Sequence, residues 1–268
     1  MWGENVPYHR LWLFDLAHRT LSIAGHLGDR HVVELAQRPD GGPLAVISWD
    51  CPEYEPGLFT AWLHVIDPEA GATHDLGQAM FDARAPAWWH AADGWHVCYL
   101  AETPPIWFGA AVFAVAVDGG GEHRNLTTGM VACPTGLVHI ADGPPLALFA
   151  DGLDAALCRL NPDTQRFHRV SSWQGYADGL SASSQGAVII TARVSTTYEP
   201  RDIHAGTPEG PLVRLSDTRP EVREITWGVQ ERFAYNAADG LALDGLLIVP
   251  PGRGRHDGPL PLITLVHG

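Results

Sequence analysis

Two interleaved series of short apolar runs, each tied to a turn residue, recur along this chain at nearly constant intervals. The first is Leu11-Trp12-Leu13-Phe14-Asp15, Trp62-Leu63-His64-Val65-Ile66-Asp67, Val112-Phe113-Ala114-Val115-Ala116-Val117-Asp118 and Leu157-Cys158-Arg159-Leu160-Asn161. Its closing residues, Asp15, Asp67, Asp118 and Asn161, stand 52, 51 and 43 positions apart. The second series places Asp40-Gly41, Asp93-Gly94, Asp142-Gly143 and Gln185-Gly186 before runs that begin at Leu44, Trp95, Leu146 and Ala187. Its glycines are 53, 49 and 43 apart. Two markers that keep one order and similar spacings define an internal repeat.

Each unit is long enough for four short strands. An Asp-Gly pair between apolar runs makes a hairpin turn, because glycine accepts the positive φ such turns require. A single four-stranded unit cannot cover its two faces, whereas units packed radially cover one another and leave only short edges. The repeat therefore predicts a mainly β chain, a β-propeller with about five recognisable blade repeats over residues 1–228. A β-sandwich is the competing architecture, but nothing in a sandwich requires a repeat this long. The run 11–15 reads as the second half of a unit whose Asp-Gly half is missing. Either it pairs with a late strand, or the sequence begins inside a longer propeller.

Composition narrows the chemistry. All 17 basic residues are arginine, which removes Schiff-base and serine–lysine mechanisms. A net charge of −14 argues against nucleic acid and anionic membrane as partners. The longest apolar run, 106–117, is too short to span a bilayer, which needs about 20 residues. No basic start followed by an apolar stretch opens the chain, and Cys51, Cys98, Cys133 and Cys158 are scattered. A cytoplasmic protein with reduced thiols is expected. His90 and His96 have no metal-ligand spacing, so neither metal nor cofactor is expected. Trp88, Trp89 and Trp95 read as core between blades, and Glu53, Glu55 and Glu102 as solvated loop charges that could meet a cationic ligand group.

After Trp227 the pattern changes. Residues 231–236 and 241–249 form a predicted hairpin about Asp239-Gly240, stopped by Pro250-Pro251. Residues 262–266, Leu-Ile-Thr-Leu-Val, are nearly continuous in apolar character and predict a strand covered on both faces. Helices to cover it would have to follow, so the chain is expected to be incomplete.

The hairpin pattern of Asp239, Gly240, Leu241, Gly245, Leu247 and Pro250, then an apolar strand ending in His267-Gly268, resembles the prolyl oligopeptidase family of serine peptidases. The likeness leans toward its acylaminoacyl-peptidase and dipeptidyl-aminopeptidase branch. It implies a propeller over 1–228 and the start of an α/β-hydrolase domain over 229–268. It further implies that His267 and Gly268 are the stem of the oxyanion loop, and that the full protein hydrolyses short peptides admitted by the propeller. No catalytic serine, acid or base is assigned, since these positions fall beyond Gly268 in the family's order. Gly179-Leu180-Ser181-Ala182-Ser183 lacks the final glycine of a nucleophile elbow. Residues 1–268 alone are thus expected to be inactive. The alternative is a stand-alone propeller that binds a protein or peptide; a sugar-processing enzyme lacks a placeable carboxylate pair.

Overall fold

The computed structural model describes residues 6–104, 109–119, 121–141, 143–183, 199–266 and the backbone of 188–194. Nearly all of its regular structure is β. A hairpin of β1 (Trp12–Asp15) and β2 (Thr20–Ile23) comes first. Four antiparallel four-stranded sheets follow, each built from consecutive strands. The first holds β3 (His31–Gln37), β4 (Leu44–Trp49), β5 (Trp62–Ile66) and β6 (Thr73–Gln78), with the short helix α1 (Tyr54–Leu58) between β4 and β5. The second holds β7 (Arg84–Ala91), β8 (Gly94–Glu102), β9 (Ala110–Ala116) and β10 (Arg124–Asn125). The third holds β11 (Cys133–Ile140), β12 (Gly143–Asp151), β13 (Asp154–Asn161) and β14 (Arg166–Gln174). The fourth holds β15 (Tyr176–Ala182), β16 (Val188–Val194), β17 (His204–Gly206) and β18 (Val213–Arg214), and a last hairpin pairs β19 (Val229–Asn236) with β20 (Ala242–Val249).

Both repeat markers acquire a structural meaning. Gly41 lies just before the second strand of the first sheet, and Gly94 and Gly143 open those of the second and third; Gly41 and Gly94 take φ of +80° and +121°, while Asp142 and Gln185-Gly186 lie outside the described residues. The Asp/Asn series closes the third strand. There Asp67 Oδ1 accepts the Glu69 and Ala70 N–H groups at 2.9 Å, and Asn161 Oδ1 does the same for Asp163 and Thr164. Asp15 Oδ1 binds Ala17 and His18 identically at 2.8 and 2.9 Å. By this turn, β1 and β2 are the third and fourth strands of a unit, so among the described residues four units are complete and one is half.

Alternating side chains explain why the central strands are apolar throughout. On β8, Val97, Tyr99 and Ala101 join Ile47, Leu63 and Trp88 between the first and second sheets. Cys98 and Leu100, pointing the other way, join Trp89, Phe149 and Leu160 between the second and third. Leu146, Leu148 and Leu157 then meet Ala177 and Leu180 of the fourth. Leu11 and Leu27 cover Val32, Val46 and Ile66 on the outer face of the first. The innermost strands β3, β7, β11 and β15 touch in turn, which is the radial stacking of propeller blades.

The predicted last strand differs from what is observed. Residues 259–266 are not in a sheet, and Leu262, Ile263, Leu265 and Val266 are exposed. A strand exists only in a hydrogen-bonded ladder, and no described strand runs beside this one. The predicted hairpin is present and begins earlier, at Val229. Asp239 Oδ1 accepts the Leu241 N–H at 3.1 Å in its turn.

Candidate functional site

Strand order gives the blades two ends. Turns between first and second strands share one end with turns between third and fourth; the remaining connections share the other. At the first end a groove of about 430 Å³ is lined by Pro39, His90, Trp95, Ile140, Pro144 and Pro162 among others. A neighbouring cavity of about 330 Å³, with Arg38, His139 and Ser183, joins it at Pro39 and Ala141. All four sheets therefore contribute to this mouth.

Its charges are internally spent. Arg38 Nε donates to both Asp40 oxygens at 2.8 and 3.0 Å, and the guanidinium stacks 5.0 Å from the Trp95 ring. The Arg38 hydrogen bond holds the Asp40 carboxyl below its ordinary pKa. Burial pushes the His139 pKa down, so its ring is neutral at pH 7. Trp88 Nε1 donates to Ala36 O at 2.9 Å, and His90 stacks on Trp95 at 4.7 Å. All three tryptophans border the groove: Trp88 and Trp89 are core, as the sequence predicts, and Trp95 is half-buried and packs against the core between the first two sheets. This electrically balanced, aromatic and proline-lined mouth can hold or pass an uncharged segment. Among the described residues it presents no free acid–base pair.

The other end carries the sequence's acidic candidates. Glu53 and Glu55 flank the start of α1, exposed, and Glu102 closes β8, half-buried, with its N–H on Phe81 O at 2.9 Å. Phe59, which follows α1, packs on Phe81 at 4.6 Å. The last hairpin also docks at this end: Arg232 grips the Asp154 carboxylate at 2.7 and 2.9 Å at the turn between β12 and β13. His90 and His96 share no site. His90 is paired across from Trp95 and His96 from Trp89, on opposite faces of the second sheet. His267 and Gly268 lie outside the described residues.

One constellation escapes sequence reading. Ser48 Oγ lies 2.7 Å from His64 Nε2, and His64 Nδ1 lies 2.6 Å from Asp75 Oδ1. The three residues come from β4, β5 and β6, and only strand register brings them to one face. The geometry is that of a hydrolytic triad, but the chemistry is not. Ser48 is 0% exposed, and its oxygen already accepts Arg30 Nε at 2.7 Å. Arg30 also donates to Thr60 O at 2.9 Å and pairs with Asp50. No carbonyl can approach a serine sealed in this way, so the chain is a buried polar tie. Burial lowers the His64 pKa, against the opposing hydrogen bond and charge of Asp75. Ser181 also fails as a nucleophile, since it is paired with Ile189 near the end of β15, which leads to another strand and not to a helix.

No protein-family model matches the chain. No curated protein matches it either. Solved structures do. The fold is similar to an oligogalacturonate lyase from Vibrio parahaemolyticus, at 14% identity and TM-score 0.61, over 90% of this chain and 72% of that one. It is similar to Porphyromonas gingivalis dipeptidyl peptidase 4, at 17% identity and TM-score 0.57, over 91% of this chain and 35% of that one. A Mycobacterium tuberculosis puromycin-hydrolysing peptidase aligns at 16% identity and TM-score 0.52, over 94% of this chain and 49% of that one. The protein is a β-propeller by fold. It spans about a third of the first of these peptidases and about half of the second.

Proposed function

We propose that residues 1–228 are the propeller, and 229–268 the first strands of an α/β-hydrolase domain, of a serine peptidase of the prolyl oligopeptidase family. The carrying observation is the order of parts: propeller blades, then a hairpin clamped onto them through Arg232 and Asp154, then an uncovered apolar segment at 262–266. The fold likeness to two peptidases supports the same reading. In such an enzyme a serine attacks the peptide carbonyl, a histidine relays its proton and an aspartate orients that histidine. Those groups belong to hydrolase residues after Gly268, with His267 and Gly268 as the oxyanion-loop stem. The propeller restricts the substrate to short peptides, and a cytoplasmic setting keeps the four free cysteines reduced. Among the described residues no helix is long and apolar enough to cross a membrane.

Two measurements test this. Purified residues 1–268 should not turn over aminoacyl-p-nitroanilides, and turnover that tracks the pure protein overturns the assignment. The coding DNA beyond Gly268 should continue with Gly-Pro and later a Gly-x-Ser-x-Gly elbow; a stop codon there replaces the peptidase with a stand-alone binding propeller.

A further inference from the structure

Residues 6–11 lie against the start of β3, at the end of the molecule that also carries α1. Leu11 O accepts the Ala24 N–H at 3.0 Å, and among the described residues four hydrogen bonds hold residues 8–10. Val32 N–H donates to His9 O at 3.2 Å, and Arg10 donates to Arg30 O at 2.6 Å. Tyr8 Oη reaches Asp50 O at 3.4 Å. The fourth is unusual: the His9 backbone N–H donates to His31 Nδ1 at 3.0 Å.

A ring nitrogen accepts a hydrogen bond only through its lone pair, so this bond requires Nδ1 to be unprotonated. His31 is 6% exposed, and its ring lies between His9 at 4.4 Å and Trp49 at 6.1 Å. A proton on Nδ1 would set two donors against each other at 3.0 Å in a site largely closed to water. The surrounding charges do not favour it. His9 and Arg10 on the docked segment and Arg30 beside it are basic; Glu53 before α1 opposes them, Asp50 is already paired with Arg30, and Tyr8 is neutral.

We propose that residues 6–11 are a proton-released strap, docked on the first sheet while His31 is neutral and detached when His31 takes a proton. Release uncovers His31, which Tyr8 and His9 cover and whose other side lies against Trp49. That surface adjoins α1, so acid changes the end of the propeller on which the last hairpin docks. Burial first, then His9 and Arg10, lower the His31 pKa from 6.5 against the pull of Glu53. The docked state is therefore at full strength above pH 6.5 and weakens progressively as pH falls below it.

Amide exchange of the 268-residue protein, corrected for intrinsic rates, reads the strap directly. Between about pH 7.5 and about pH 5, protection of the His9 and Val32 amides should fall roughly tenfold or more relative to β12 and β13. Unchanged protection overturns the proposal. In His31→Gln a carboxamide oxygen can accept the His9 N–H at every pH, so a surviving pH-dependent loss also overturns it. Nitrogen NMR of the His31 ring gives a readout independent of any variant. Its titration should share a midpoint with the exposure of the His9 amide, and separate midpoints reject the link.

Discussion

Asp202 shows how strongly single buried charges tie the last blade together. Its side chain is 1% exposed yet ionised. Burial works to raise its pKa, but the Ser216 hydroxyl, the Thr218 N–H and Arg214 outweigh it and bring the value to about 2. Ser216 Oγ donates at 2.7 Å and Thr218 N at 2.9 Å. The stabilisation is complete above the ordinary carboxyl value of 3.8 and is lost as pH falls from there toward about 2. Asp202→Ala leaves Arg214 and two further donors short of their acceptor. It should cost about 3 kcal/mol in urea denaturation at neutral pH, and the variant should lose the wild type's steep destabilisation below pH 3.8. None of this is visible in the sequence, where Asp202 is one acid among 31. Ser48, His64 and Asp75 teach the same lesson, because spacings along the chain say nothing about a face shared across three strands.

Among the elements, second and third strands were legible and first and fourth strands were not. Strands such as β8, β9 and β12 are covered on both sides, so selection for burial leaves uninterrupted apolar runs that the eye can align. First strands carry irregularities between Val32 and Glu34, Arg84 and Ala87, and Pro134 and Gly136, which break any period of two. Fourth strands face solvent, and β10 and β18 are two residues long. The last hairpin was readable because its turn chemistry is local. Its Gly245 has a non-local cause: a Cβ there would stand 2.5 Å from Phe233 Cζ, the ring of its cross-strand partner. Gly245→Val should displace that ring and cost about 1–3 kcal/mol. The check is faster amide exchange in β19 and β20 with β12 and β13 unchanged; equal acceleration throughout would mean that the hairpin is integral to the blades.

Across the whole molecule, stability is shared between neighbouring sheets rather than held within each. Trp89 is 1% exposed and belongs to the cluster between the second and third sheets. Trp89→Ala should therefore cost about 3–5 kcal/mol and raise exchange in β8 and β12 together, whereas loss confined to the second sheet would contradict coupled packing. The same architecture leaves the half-unit conspicuous. Trp12, Phe14, Leu21 and Ile23 form an apolar face on the first hairpin, each about half exposed. The sequence by itself determined the β-unit, its turn residues and its repetition. Those depend on local backbone geometry and on alternate residues facing two covered sides. Only the tertiary structure decided which turns gather into the mouth, why a serine beside a histidine and an aspartate is inert, and that His31 needs its lone pair. Those properties arise from strand register and burial, which join residues that no spacing along the chain brings together.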